Sequence, residues 1–109
     1  MNIILTTIGR KSGQTRLHEV SAVRDGNDYI TSGSNGGAAK HSQWYINLAA
    51  NPQTRVKAHG RTIETIATVV TDEQEYKRLW QLLVREYPVY ELFQRRTSRQ
   101  FPIVRLSPA

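Results

Sequence analysis

The chain has 109 residues, with 15 Lys+Arg against 9 Asp+Glu, a formal net charge of +6, 39% hydrophobic residues and no cysteine. That length fits a single domain, and zero cysteines exclude disulfide staples, thiolate metal sites and cysteine nucleophiles. The apolar content is too high for a disordered chain, and apolar runs no longer than Ile3-Ile4-Leu5 are too short for a bilayer-crossing helix.

The first two-thirds reads as β structure. Ile3 to Ile8 is rich in β-branched residues and stops at Gly9. A second strand is predicted over Leu17 to Val23. Asp25-Gly26-Asn27-Asp28 then marks a hairpin turn before Tyr29 to Ser32. His41 to Asn51 reads as a helix, with Trp44, Tyr45 and Leu48 at helical spacing and Asn51-Pro52 as its stop. Two strands, Thr54 to Ala58 and Thr62 to Val70, are joined at His59-Gly60-Arg61.

A second helix is predicted from Asp72, with Glu75 completing a capping box and a stripe of Tyr76, Leu79, Trp80, Leu83 and Tyr87 facing a core. Pro88 ends or kinks it, a short helix follows from Val89 to about Arg96, and Ile103 to Leu106 forms the last strand. About six mostly antiparallel strands with two or three helices, lacking regular β-α-β alternation, predict an α+β, mainly β, small barrel decorated by helices.

Three constellations carry chemical interest. In Gly9-Arg10-Lys11-Ser12-Gly13-Gln14-Thr15-Arg16, two glycines permit a tight turn and three cations concentrate. The stretch is either a seat for phosphate or carboxylate or a solvated hairpin loop; it lacks the spacing of a P-loop. Ser32 to His41 is rich in small residues and runs into a helix, allowing a flat ligand close to the main chain, or simply forming a flexible loop. Tyr87, Tyr90 and Phe93 line one side of a helical segment, as core or as the cap of a pocket with a hydroxyl at Tyr90. Arg95, Arg96 and Arg99 follow, as a solvated face or an anion-facing patch. His18, His41 and His59 lack metal-ligand spacing, no nucleophile elbow is present, and the acidic residues are scattered. Of the 15 basic residues 11 are Arg, which favours a partner bearing phosphate or carboxylate.

The blocks Leu5-Thr6-Thr7-Ile8-Gly9-Arg10-Lys11-Ser12-Gly13, Ser34-Asn35-Gly36-Gly37, Trp44-Tyr45-Ile46-Asn47-Leu48-Ala49-Ala50-Asn51-Pro52, Tyr87-Pro88 and Phe101-Pro102-Ile103-Val104, in this order, resemble the deazaflavin-dependent nitroreductase family. The resemblance implies a split β-barrel, coenzyme F420 as cofactor, and hydride transfer from the reduced deazaflavin to a quinone, nitroaromatic or other electrophilic acceptor. It implies that Arg10, Lys11, Ser12 and Arg16 hold the phosphate and oligoglutamate tail, and that Leu17, His18, Glu19, Val20 and Ser21 run beside the ring. Ser32, Gly33, Ser34 and Asn35 would flank it, and Gln43, Trp44, Tyr45, Ile46 and Asn47 would supply the helical side. Tyr90 would sit over the reacting face as the candidate catalytic residue, with Ser34, Tyr87 and Phe93 shaping the acceptor pocket.

Departures from the family pattern include Glu19, Ser21, Asn35 and Phe93. Residues 1–109 are expected to form one such domain without the family's usual N-terminal helical extension. No metal and no nucleic-acid partner are expected, and the location is expected to be cytoplasmic, with peripheral membrane association open. Three rival readings remain: a non-catalytic F420 binder, an FMN-binding split barrel, and a small basic nucleic-acid-binding domain.

Overall fold

The β-branched N-terminal run forms β1 (Asn2–Ile8), with Ile3, Leu5 and Thr7 turned to the interior and the residues between them less buried. In the computed structural model, which describes residues 1–109, this strand is followed by β2 (Thr15–Ser21), β3 (Val23–Asp25) and β4 (Asp28–Ser32). A 3₁₀ turn (Asn35–Gly37) leads to α1 (Gln43–Ala50), then β5 (Gln53–Ala58) and β6 (Arg61–Val69). The chain closes with α2 (Glu73–Glu86), α3 (Val89–Gln94) and β7 (Ile103–Pro108).

There are seven strands rather than about six, because the segment predicted as one strand from Leu17 to Val23 breaks at Ala22. The sheet order is β2-β1-β5-β6-β7-β4-β3, and every neighbouring pair is antiparallel. Ala22 therefore joins the two opposite edges of the sheet, and its full burial accompanies that crossing. The sheet must curl through almost a full turn for one residue to bridge its ends. The result is a split barrel.

Two apolar clusters divide the strand faces between them. Ile3, Leu5, Tyr29, Leu48, Val56, Val104 and Leu106 are among those filling the barrel. Ile30 and Ile103 point the other way and pack with Leu79, Leu83 and Tyr90 of α2 and α3. The alternation along β7 makes this possible: Val104 and Leu106 face inward, Ile103 and Arg105 outward. No helix is long and apolar enough to cross a membrane.

Half of the expected capping box forms. Asp72 Oδ2 accepts from the Glu75 N–H at 2.9 Å. The Glu75 carboxylate, however, turns to Arg78 and Arg105 at 2.6 Å each. These two arginines also bind Asp25, and Arg105 reaches Asp28, so the β3–β4 hairpin, β7 and α2 share one ion network. The Arg78 guanidinium, aided by Arg105, holds the Asp25 carboxyl at about 2, below its ordinary value. A carboxyl lowered on folding stabilises the fold above its unfolded pKa and loses that contribution as pH falls through the folded one. Asp25→Asn should therefore cost about 1 kcal/mol at neutral pH, a partly exposed network being screened by water. In urea titrations the gap to the parent protein should hold down to about pH 4 and close towards pH 2.

Candidate active site

The barrel is open between β2 and β4, which pair with other strands and share no ladder. They are linked there by Thr31, whose hydroxyl donates to the Ser21 carbonyl at 2.7 Å. A cleft occupies this opening, bounded also by α1 and α3. It consists of cavities of about 620 and 380 Å³ that share His18 and Gln43.

The smaller arm is cationic. Arg10, Lys11 and Arg16 line it with Ser12, Gln43 and Asn47, and no carboxylate does. The β1–β2 loop is held in a closed turn by Gly9 N–H to Gln14 O (2.7 Å) and Gly13 N–H to Gly9 O (2.8 Å), with Gly13 at φ 72°. Buried Asn47 of α1 anchors the loop, its Oδ1 accepting from Arg10 Nη1 at 2.9 Å and from the Arg10 main chain at 3.3 Å. Arg10 and Lys11 on the turn and Arg16 at the start of β2 thus bring three exposed cations to one arm without a counter-charge, an arrangement whose chemistry suits a multiply anionic group.

The larger arm is apolar and aromatic on the α3 side, through Tyr87, Val89, Tyr90 and Phe93, and polar on the strand side. Three of its side-chain atoms are buried without a partner: His18 Nε2, Ser32 Oγ and Ser42 Oγ. An unpaired buried polar atom costs roughly 1–3 kcal/mol, so three on one cleft mark a wall built for a ligand with polar edges. Burial, then the Arg16 charge, lowers the His18 pKa. The ring is consequently neutral at pH 7, with one nitrogen donating and the other accepting. Burial pushes the Tyr90 hydroxyl up to about 12, and no protein group bonds it. It stays protonated, on a residue that lines the cleft.

Most of the residues expected at the site meet in this cleft: Arg10, Lys11, Ser12, Arg16, His18, Val20, Ser21, Ser32, Ser34, Asn35, Gln43, Trp44, Asn47, Tyr87, Tyr90 and Phe93. Leu17 and Glu19 do not line it. They occupy the alternate, exposed face of β2, where Glu19 accepts from Asn2 Nδ2 at 3.0 Å. Gly33 is packed against Pro102, and Tyr45 lines a separate hollow with His41, their rings 4.8 Å apart. Ile46 is half-buried on α1 and borders neither arm. Thr31, Ser42 and Val89 also line the cleft and went unnoticed in the sequence; hydroxyl residues and a lone valine carry no motif. Arg99 is half-buried and bonds the Gly33–His41 segment.

A curled sheet whose split joins a cation-lined arm to a flat, polar-edged and aromatic one defines a split-barrel protein that binds a planar cofactor with an anionic tail. The sequence profile of the F420H(2)-dependent quinone reductases matches residues 1–108, and the chain belongs to this family of F420-dependent oxidoreductases, whose cofactor is coenzyme F420. The F420H(2)-dependent quinone reductase Rv1261c of Mycobacterium tuberculosis is 33% identical over 108 residues, covering 97% of this chain and 72% of its own. Among solved structures, an F420-H2 dependent reductase (FDR-A) superposes with a TM-score of 0.89 at 32% identity, covering 97% of this chain and 93% of that one. A chain described as a domain-swapped dimer does so at 0.90 and 31%, covering 97% and 79%. The nitroreductase resemblance seen in the sequence is thus the broader description, and quinone reductase the closer one.

Proposed function

We propose that this protein uses reduced F420 to reduce a quinone bound in the aromatic arm of the cleft. The observation that carries the reading is the set of unpartnered buried atoms on His18, Ser32 and Ser42 in the aromatic arm, with His18 also lining the cationic one. Reduced F420 supplies a hydride, two electrons and a proton's nucleus together.

The chain's own groups then have binding and orienting work. Arg10, Lys11, Ser12 and Arg16 hold the phosphate and carboxylates of the tail. His18, Ser32 and Ser42 satisfy the polar edge of the ring, with Gln43 and the remaining amide donors of Asn47 on the helical side. Tyr87, Val89, Tyr90 and Phe93 exclude water over the acceptor, and Tyr90 donates a hydrogen bond to its oxygen. Exposed Val89 and Leu92 beside Arg95 and Arg96 suit the surface of an anionic bilayer, where apolar quinones dissolve, so membrane association belongs to this reading. Nitroaromatics are flat and electron-poor, and the same arm would admit them.

Parallel fluorescence titrations with F420 and FMN, followed by anaerobic oxidation of F420H2 with menadione and with a nitroimidazole, test the assignment. Tight F420 binding and menadione-dependent oxidation are expected. Binding without oxidation of the cofactor would make the chain a carrier, and preference for FMN would remove the tail-binding role of the cationic arm.

Tyr90→Phe deletes one neutral donor and should lower kcat about 5- to 10-fold, with F420 affinity within about twofold. Because the hydroxyl is held at about 12, the parent kcat should show no Tyr90 ionisation through neutral pH. Unchanged kcat in the variant would end the assignment.

A further inference from the structure

Arg99 lies outside both arms of the cleft, yet all five of its guanidinium N–H groups are committed. Nε donates to Ala38 O at 3.2 Å, Nη2 to Ser34 O at 2.8 Å and to Ala38 O at 2.9 Å. Nη1 donates to Gly33 O at 3.2 Å and to His41 Nδ1 at 3.0 Å, which places the His41 proton on Nε2. The guanidinium also stacks 4.9 Å from the Phe101 ring. With every donor used, it has none left for an anion.

The segment it grips is the one that carries Ser34 and Asn35 into the cleft and ends beside Ser42. A second contact restrains the same loop. Gly37 sits at φ 83° so close to α3 that a Cβ would lie 2.6 Å from the Phe93 carbonyl oxygen. The loop is thus held both by Arg99 and by close approach to the helix bearing Tyr90 and Phe93.

We propose that Arg99 is a positioning residue which, through the carbonyls of Gly33, Ser34 and Ala38 and the ring of His41, fixes the Ser32–Ser42 wall in its cofactor-binding shape. The inference rests on the cleft being the F420 site. A lysine keeps the charge but has three donors on one nitrogen and cannot reproduce a planar fork serving four acceptors. Charge and fork are therefore separable.

The test compares Arg99→Lys, Arg99→Gln and Gly37→Ala. Hydrogen exchange of the Gly33–His41 amides is followed in the free protein, with β1 and β5 amides as the internal check of global folding. F420 titrations at two salt concentrations follow. All three variants should speed exchange in the segment and weaken F420 by about 10-fold or more, with the salt dependence of the parent. Exchange unchanged in Arg99→Lys overturns the proposal whether or not F420 binds. So does Arg99→Lys retaining full affinity while Arg99→Gln loses it, the pattern of simple charge attraction. Failure of the parent protein to bind F420 would instead remove the cofactor reading, leaving the exchange data to judge the clamp.

Discussion

Replacing Lys11 and Arg16 together by Glu is expected to weaken F420 binding by at least about 100-fold, with fold stability changed by less than about 0.5 kcal/mol. Both side chains are exposed, Lys11 on the β1–β2 turn and Arg16 at the start of β2, and neither has an ion-pair partner within the protein, so the fold loses no ion pair when their charge is reversed. A charge-assisted hydrogen bond is worth roughly 1.5–3 kcal/mol, and two of them, screened at a surface, still account for two decades of affinity. Arg10 is left in place because its contacts with Asn47 fix the turn. Fluorescence titration and urea unfolding measure the two quantities separately. Affinity retained within threefold would mean that the tail lies elsewhere.

Phe101→Ala should have the largest effect on stability, a loss of about 3–5 kcal/mol in urea unfolding. The ring is fully buried, tilted 6.2 Å from Trp80 and stacked under Arg99. Its main-chain carbonyl accepts from the Tyr76 hydroxyl, tying the entry of β7 to α2. Phe101→Leu, which keeps most of the volume, should lose less than half as much. A loss below about 1 kcal/mol for the alanine variant would show that the site collapses without a cavity.

The elements legible in the sequence were those with a strong period or a strong punctuation. The stripe of Leu79 and Leu83, the Gly26 turn (φ 62°) and the alternation of β1 each announce themselves within a few residues. The break at Ala22 was not legible, because Leu17 to Val23 reads as continuous β pattern whichever edge of a sheet each half joins. What splits it is pairing with β1 on one side and β4 on the other, a non-local choice.

The site shows the same division. Its cations and aromatics stand out as residue types, and the family resemblance groups them as the residues expected around one cofactor. Taking all of Leu17 to Ser21 as lining overlooked the two-residue period that turns Leu17 and Glu19 outward. Arg99 was illegible for a deeper reason: its acceptors are main-chain carbonyls some 60 residues away, and every residue type presents the same carbonyl.

The opening between β2 and β4 bears on how a ligand is admitted. The β ladders run continuously around the sheet and none spans the opening, so parting its two lips severs the Thr31–Ser21 side-chain bond and leaves the strand pairing intact. Ala22, where the chain passes from β2 into the β3–β4 hairpin, is the natural pivot. On the proposed reading of the cleft, a bulky ligand would enter and leave by local opening there, a process separate from unfolding of the barrel.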